Sequence, residues 1–192
     1  SSGSFGLPGY EEYMDLNVLG ALVAKSITLH PRPGNPPPRI AETPAGMLNA
    51  VGIQNRGVKW FIENDLPKLR HFSPPLIVSI AGTKVEDFAQ AAELLEKEEG
   101  IAAYEINVSC PNMEAGGRAF GMSAAATQAV VASVKEHTRR PLFTKLTPNV
   151  TDIVEIAQAA VEAGSDGLTL INTLLGMAVD VRRRRPLLAN IL

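Results

Sequence analysis

The sequence predicts an α/β fold built on a parallel sheet. Three observations carry this expectation. Short apolar runs alternate with stretches of helical periodicity, the connections between them are short, and the apolar runs end in a restricted set of polar residues. A closed (β/α)8 barrel typically takes about 250 residues, and this chain has 192. The pattern therefore fits either a doubly wound sheet or most, but not all, of a barrel, in one domain or at most two.

In chain order, Ser1 to Gly9 reads as a glycine-rich loop, and Tyr10 to Leu19 as a helix with Tyr13, Leu16 and Leu19 on one side. Ala21 to Ala24 is a short apolar strand ending at Lys25-Ser26. Five prolines between His30 and Arg39 forbid regular structure there, giving a rigid surface loop. Glu42 to Asn55 is polar and turn-rich, and Gly57 to Leu69 is helical. Pro74-Pro75 introduces a strand from Leu76 to Ile80. Thr83 is the expected cap of the next helix, with Glu86 as its capping-box partner and Phe88, Ala91, Ala92 and Leu95 as the apolar face. A strand follows at Ile101 to Val108, then a helix from Ser123 to near His137 and a strand from Leu142 to Leu146. Thr151 caps a helix over Asp152 to Ala163, a strand runs from Leu168 to Ile171, and Leu187 to Ile191 is a further candidate strand.

Carboxyl ends of parallel strands share one rim, where α/β enzymes build their sites. Here that rim collects Lys25 and Ser26, Ser79, Asn107 with Cys110 and Asn112, Lys145, and Asn172 with Thr173. Lysines and asparagines together suit an anionic, planar, amide-rich ligand, since each amide offers a donor and an acceptor. Lys145 stands out because its segment is otherwise suited to burial, and an ammonium is costly to bury unpaired. It is either a snorkelling or ion-paired lysine, or a charge held against a ligand that gains negative charge. Cys110, the only cysteine, is either a small buried hydrophobe or a reactive thiol delivered at a strand end. Asn49 to Asn55 sets amides on a glycine-containing loop, which is also ordinary turn composition.

Composition narrows the classes. A net charge of -2 without a basic, aromatic-interleaved stripe argues against nucleic acid. A lone cysteine permits no internal disulfide and suits a reducing cytoplasm. No apolar run reaches a membrane span, and the first residues do not form a signal peptide. The three histidines are too scattered for a metal site, no phosphate-binding glycine fingerprint is present, and the run Arg182 to Arg185 reads as a solvated face.

The motifs resemble those of one family in a single register. They are Ser2-Gly3-Ser4-Phe5-Gly6, Lys25-Ser26, Asn35-Pro36, Pro38-Arg39 and Asn49 through Asn55 in the first part of the chain. Asn107-Val108-Ser109-Cys110-Pro111-Asn112, Gly116-Gly117, Phe120-Gly121, Lys145-Leu146, Pro148 to Ile153, Ile171-Asn172-Thr173 and Gly176-Met177 follow. The combination resembles the NAD-linked, type B group of class 1 dihydroorotate dehydrogenases. Asn-x-Ser-Cys-Pro-Asn alone would also admit dihydropyrimidine dehydrogenases, but the continuation Asn112 to Gly117 and Leu174-Leu175-Gly176-Met177 favours the dihydroorotate enzymes.

The resemblance implies a TIM barrel, incomplete in this chain, with residues 1–192 forming one FMN-binding domain. It implies oxidation of dihydroorotate to orotate in pyrimidine biosynthesis, with hydride passing to FMN and a proton to Cys110 as base. Ser2, Lys25, Ser26, Ser79, Asn107, Lys145 and Ile171 would meet FMN. Lys25, Asn49, Ala50, Val51, Gly52, Ile53, Asn107, Asn112, Asn172 and Thr173 would hold the substrate. It implies a homodimeric cytoplasmic core that passes electrons to an iron-sulfur and FAD subunit using NAD. Three features depart from the family: Ser79 stands where an Asn is usual, and Pro8 and the arginine run are unusual. The family also continues at both ends, with its FMN-phosphate loops beyond Leu192, so a non-catalytic fragment is the alternative reading.

Overall fold

In a computed structural model that describes residues 2–3, 9–112 and 118–188, the chain opens on two short 3-10 turns, Tyr10–Glu12 and Leu16–Val18. The continuous helix expected over Tyr10 to Leu19 is absent. Asp15 interrupts it by accepting from the backbone N–H and side-chain amide of Asn17, which starts a new turn and leaves Tyr13 exposed while Leu16 is buried. Leu22–Val23 forms β1. The proline-rich loop follows as expected and is tied down by Arg39, whose guanidinium donates to the carbonyls of Pro33 and Asn35 and to Gln54.

The turn-rich stretch after it holds a hairpin not read from the sequence. Ile40–Thr43 (β2) pairs antiparallel with Gly46–Asn49 (β3) across a two-residue Pro44-Ala45 loop. Most of its residues are exposed or half-buried, so it carries none of the apolar alternation that betrays a strand. Residues 57–69 form helix α1, whose middle turn, Phe61–Asp65, is π-helical.

Leu76–Ile80 is β4, followed by α2 at Val85–Glu96. Asp87, not Glu86, closes the amino end of α2: its carboxylate accepts from the backbone N–H groups of Thr83 and Lys84 and from the Thr83 hydroxyl. Ala103–Asn107 is β5. Pro111–Asn112 (β6) and Arg118–Ala119 (β7) pair antiparallel, and motif residues 113–117, like 4–8 and 189–192, lie outside the described residues. The candidate strand at Leu187 to Ile191 therefore falls largely outside them.

Ser123 caps α3 (Ala124–Lys135) by accepting from the Ala126 N–H, and Leu142–Lys145 is β8. Asp152 rather than Thr151 caps α4 (Ile153–Glu162), and Gly167–Thr169 is β9. A small pair, Val179–Asp180 (β10) with Arg185–Pro186 (β11), ends the described chain.

β1, β4, β5, β8 and β9 form one parallel sheet in sequential order. That order decides between the two expected architectures, because a doubly wound sheet reverses direction and places helices on both faces. Here α2 packs on α3 and α3 on α4 in a single layer. This is the arrangement of part of a (β/α)8 barrel. The core lies between sheet and helices, where Val78, Ile80, Tyr104, Ile106 and Leu142 meet Phe88, Leu95, Val130 and Val134, all buried. Among the described residues no helix is long and apolar enough to cross a membrane.

Candidate active site

Strand alternation sorts the site from the core. In β5, Tyr104 and Ile106 join the helix-facing core, so Glu105 and Asn107 lie on the opposite, concave face. Register then places these residues in tiers. Asn107 stands beside Lys145, which stands beside Thr169; one pleat below, Ser79, Glu105, Phe143 and Gly167 form the next row.

Polar side chains on this face form one connected chain. The Asn172 amide donates to Asn107 Oδ1 at 3.0 Å, and Asn107 Nδ2 donates to Ser26 Oγ at 3.4 Å. Ser26 and Ser79 hydroxyls share a 2.8 Å bond, and Ser79 donates to Glu105 Oε1 at 3.1 Å. The Ser109 N–H also donates to Asn107 Oδ1, at 3.1 Å. Backbone geometry aligns the members: Asn172 N–H donates to the Leu146 carbonyl and Ile27 N–H to the Ser79 carbonyl, extending the strands to the rim.

Lys145 is 8% exposed and its ammonium donates to Ser2 Oγ at 2.9 Å. Among the described residues no carboxylate is within ion-pair distance of it. A buried cation held only by a neutral hydroxyl suits an anionic partner. Gly3 donates its N–H to the Val23 carbonyl and sits against Lys25, so Ser2 and Gly3 lie over the same rim. Lys25 also lines a cavity of about 840 Å³ together with Arg32, Gln54, Asn55 and Trp60.

The loop from Asn49 to Ile53 is held by its own strap. Asn35 N–H donates to the Val51 carbonyl, Asn35 Nδ2 to the Ala50 carbonyl, and Ala50 N–H to the Arg39 carbonyl. Gly52 has φ 76°, and a Cβ there would lie 2.9 Å from the Asn35 nitrogen, so only glycine fits. Asn55 is structural, accepting from the Thr28 and Gly57 N–H groups and donating to the Ile53 carbonyl. Asn49 and Thr173 are exposed, as is Ile171, while Ala50 is buried. The Asn112 backbone belongs to β6.

Two expected contacts change character. Ser79 is fully buried and its hydroxyl bonds to Ser26 and Glu105, so it stands beneath the rim and supports it from below. Cys110 is also fully buried, and burial pushes its thiol up to about 12, against the smaller opposing effects of the Gly82 N–H and the Arg32 charge. The segment after it folds back, with Phe120 N–H donating to the Cys110 carbonyl and Gly121 N–H to the Val108 carbonyl, and this closes the thiol in. At neutral pH the protonated thiol therefore dominates. Sequence reading missed Glu105, although a lone carboxylate in an otherwise apolar strand was the available signal.

Comparison with known proteins agrees with the geometry. Residues 2–192 match the family model described as dihydroorotate dehydrogenase. A protein of Desulforudis audaxviator, named dihydroorotate dehydrogenase B (NAD(+)), catalytic subunit, is 57% identical over 192 residues, all of this chain and 62% of that protein. Proteins of the same name from Citrifermentans bemidjiense and Phocaeicola vulgatus are 48% and 50% identical over the whole chain, each covered to 63%. The chain thus spans a little under two thirds of the length of these curated relatives, and it belongs to the dihydroorotate dehydrogenase family.

Proposed function

We propose that this chain carries the chemistry end of an FMN-dependent enzyme that oxidises (S)-dihydroorotate to orotate in pyrimidine biosynthesis. The observation that carries the reading is the buried, carboxylate-free Lys145 beside the Asn107–Asn172 pair on the barrel rim. It is supported by the family membership and by the names of the relatives. The concave face fits FMN chemically: a cation without an anion and amide N–H groups suit a ring system rich in carbonyl and imine acceptors.

When bound, FMN supplies the acceptor for the hydride that leaves C6 of the substrate. Lys145 and Ser2, with Lys25, Ser26, Asn107 and Ile171, hold that group, and the Lys145 charge favours its reduced, more anionic form. Lys25, Asn107, Asn172, Thr173 and the Asn49 to Ile53 loop orient the pyrimidine and its carboxylate, with Asn112 on the adjoining hairpin. Cys110 takes the C5 proton. Because its thiol is pushed up to about 12 by burial, only about one molecule in 10⁵ is thiolate at pH 7. The base therefore acts against a steep protonation equilibrium. In the whole protein, residues 1–192 form one barrel domain of a cytoplasmic homodimer. A partner subunit with iron-sulfur and FAD groups would carry electrons to NAD; the relatives' names support the NAD(+) and the division into subunits.

The test is spectroscopic. The purified full chain is expected to be yellow, to bleach with dihydroorotate and to form orotate, with Cys110→Ala retaining flavin but losing turnover. Bleaching by dihydrouracil instead of dihydroorotate, or full turnover by Cys110→Ala, would overturn the substrate or the base assignment respectively.

A further inference from the structure

Glu105 is 4% exposed, on the concave face, one tier beneath Asn107 and Lys145. Following the protons explains why a carboxylate stands there. Ser79 has one proton and gives it to Glu105, so in the 2.8 Å bond between the serines Ser26 must be the donor. Ser26 has then spent its only proton and can only accept, which it does from Asn107. Asn107 Oδ1 is occupied by the Ser109 N–H and the Asn172 amide, and Asn172 Oδ1 by the Thr173 N–H at 2.7 Å. A backbone N–H can only donate, so both amide orientations are fixed independently of the serines. Each asparagine is left with one N–H to offer.

We propose that Glu105 is a positioning residue that sets the hydrogen-bond polarity of Ser26 at the rim, through Ser79. As an acceptor at the bottom of the chain it draws both serine protons inward. Ser26 therefore cannot donate to a ligand, while Asn107 and Asn172, whose amides the backbone N–H groups orient, and Lys145 offer N–H groups independently of it. Such a rim takes carbonyl or anionic acceptors at the asparagines and Lys145, and at Ser26, whose remaining lone pair can only accept, it takes a ligand N–H and rejects a ligand acceptor. This rests on the proposed flavin and pyrimidine site and assigns the source of its selectivity.

The experiment compares Glu105→Gln, Ser79→Ala and the double variant in the full chain. Glutamine keeps the shape but brings an N–H that can turn the serine hydroxyls the other way. Each single variant is expected to weaken FMN binding about tenfold, the scale of one misdirected hydrogen bond to a ligand. The double variant is expected to be no weaker than the worse single, because both act through one relay. In flavin-free protein the Asn107 side-chain amide signals, read by ¹⁵N NMR, should shift in both singles. Additive losses in the double variant, or unmoved Asn107 signals in Glu105→Gln, would overturn the proposal. If the unsubstituted chain bound no flavin, the function reading would fail while the amide signals would still decide the relay.

Discussion

Cys110 offers the sharpest test, since it is the only thiol in the chain and every labelling signal belongs to it. Its side chain is fully buried in the core cluster, and loss of solvation raises its pKa to about 12. An ordinary thiol near 8.5 is about one quarter thiolate at pH 8, whereas this one is thiolate in about one molecule in 10⁴. Thiolate is the reactive form, so native labelling by an aromatic disulfide reagent should run at least about a thousandfold slower than in guanidinium, before shielding adds further protection. The same displacement acts on stability. The folded pKa lies above the unfolded one, so the contribution is whole below about pH 8.5 and fades as pH climbs toward 12. The assay is stopped-flow absorbance, native against unfolded, from pH 7 to 10. Native labelling within about tenfold of the unfolded rate would refute the burial argument.

If the buried thiol is the base, kcat/KM should rise close to tenfold per pH unit from about pH 7 to 10, because that parameter reports the free enzyme; a plateau beginning below pH 7.5 would exclude it. Asp87→Ala removes the acceptor of three hydrogen bonds at the start of α2 and should cost about 1–2 kcal/mol in denaturant unfolding, while Glu86→Ala should change little. Gly121→Ala would put a Cβ 2.8 Å from Val108 Cγ2 and 3.2 Å from the Val108 carbonyl, costing about 1–3 kcal/mol and speeding Cys110 labelling as the fold-back loosens. Lys145→Met should leave the unfolding midpoint nearly unchanged, since among the described residues the ammonium bonds only to a hydroxyl, yet make the bound flavin harder to reduce in a redox titration.

Much of the fold was legible because its strands are buried on both faces or end in a clear break. Leu76–Ile80 is a near-continuous apolar run beside prolines, Leu142–Lys145 opens on Leu-Phe straight after Pro141, and α2 shows its inward face as Phe88, Ala91, Ala92 and Leu95. The hairpin β2–β3 was hidden because it stands away from the core, and its exposed strands have no reason to alternate. Caps slipped by one residue where two candidates compete: Asp152 over Thr151, Asp87 over Glu86. In both cases the winner is an Asp, whose short carboxylate reaches backbone N–H groups close to its own position. Rim residues were legible from strand ends alone, which is how Ser26, Asn107, Lys145 and Asn172 were found together. The burial of Cys110 was not, because it depends on residues 118–122 returning over it.

The tiering explains why Glu105 escaped notice and why Ser79, read as a rim residue, lies one row lower, bonded to it. Strand ends announce the uppermost row only; the row beneath is encoded by period-two alternation, and a lone polar residue two places back looks like a fault in an apolar strand. Its meaning comes from the neighbouring strand. Ser79 is level with Glu105, and Asn107 with Lys145, only because β4, β5 and β8 pair in this register. A one-residue slip of β5 would turn Glu105 toward Phe88 and Leu95, where a carboxylate has no donor, and would point Tyr104 at the rim. Correct pairing therefore satisfies the core and assembles the polar relay together. The same alternation that buries Tyr104 and Ile106 against the helices aims Glu105 and Asn107 at the chemistry.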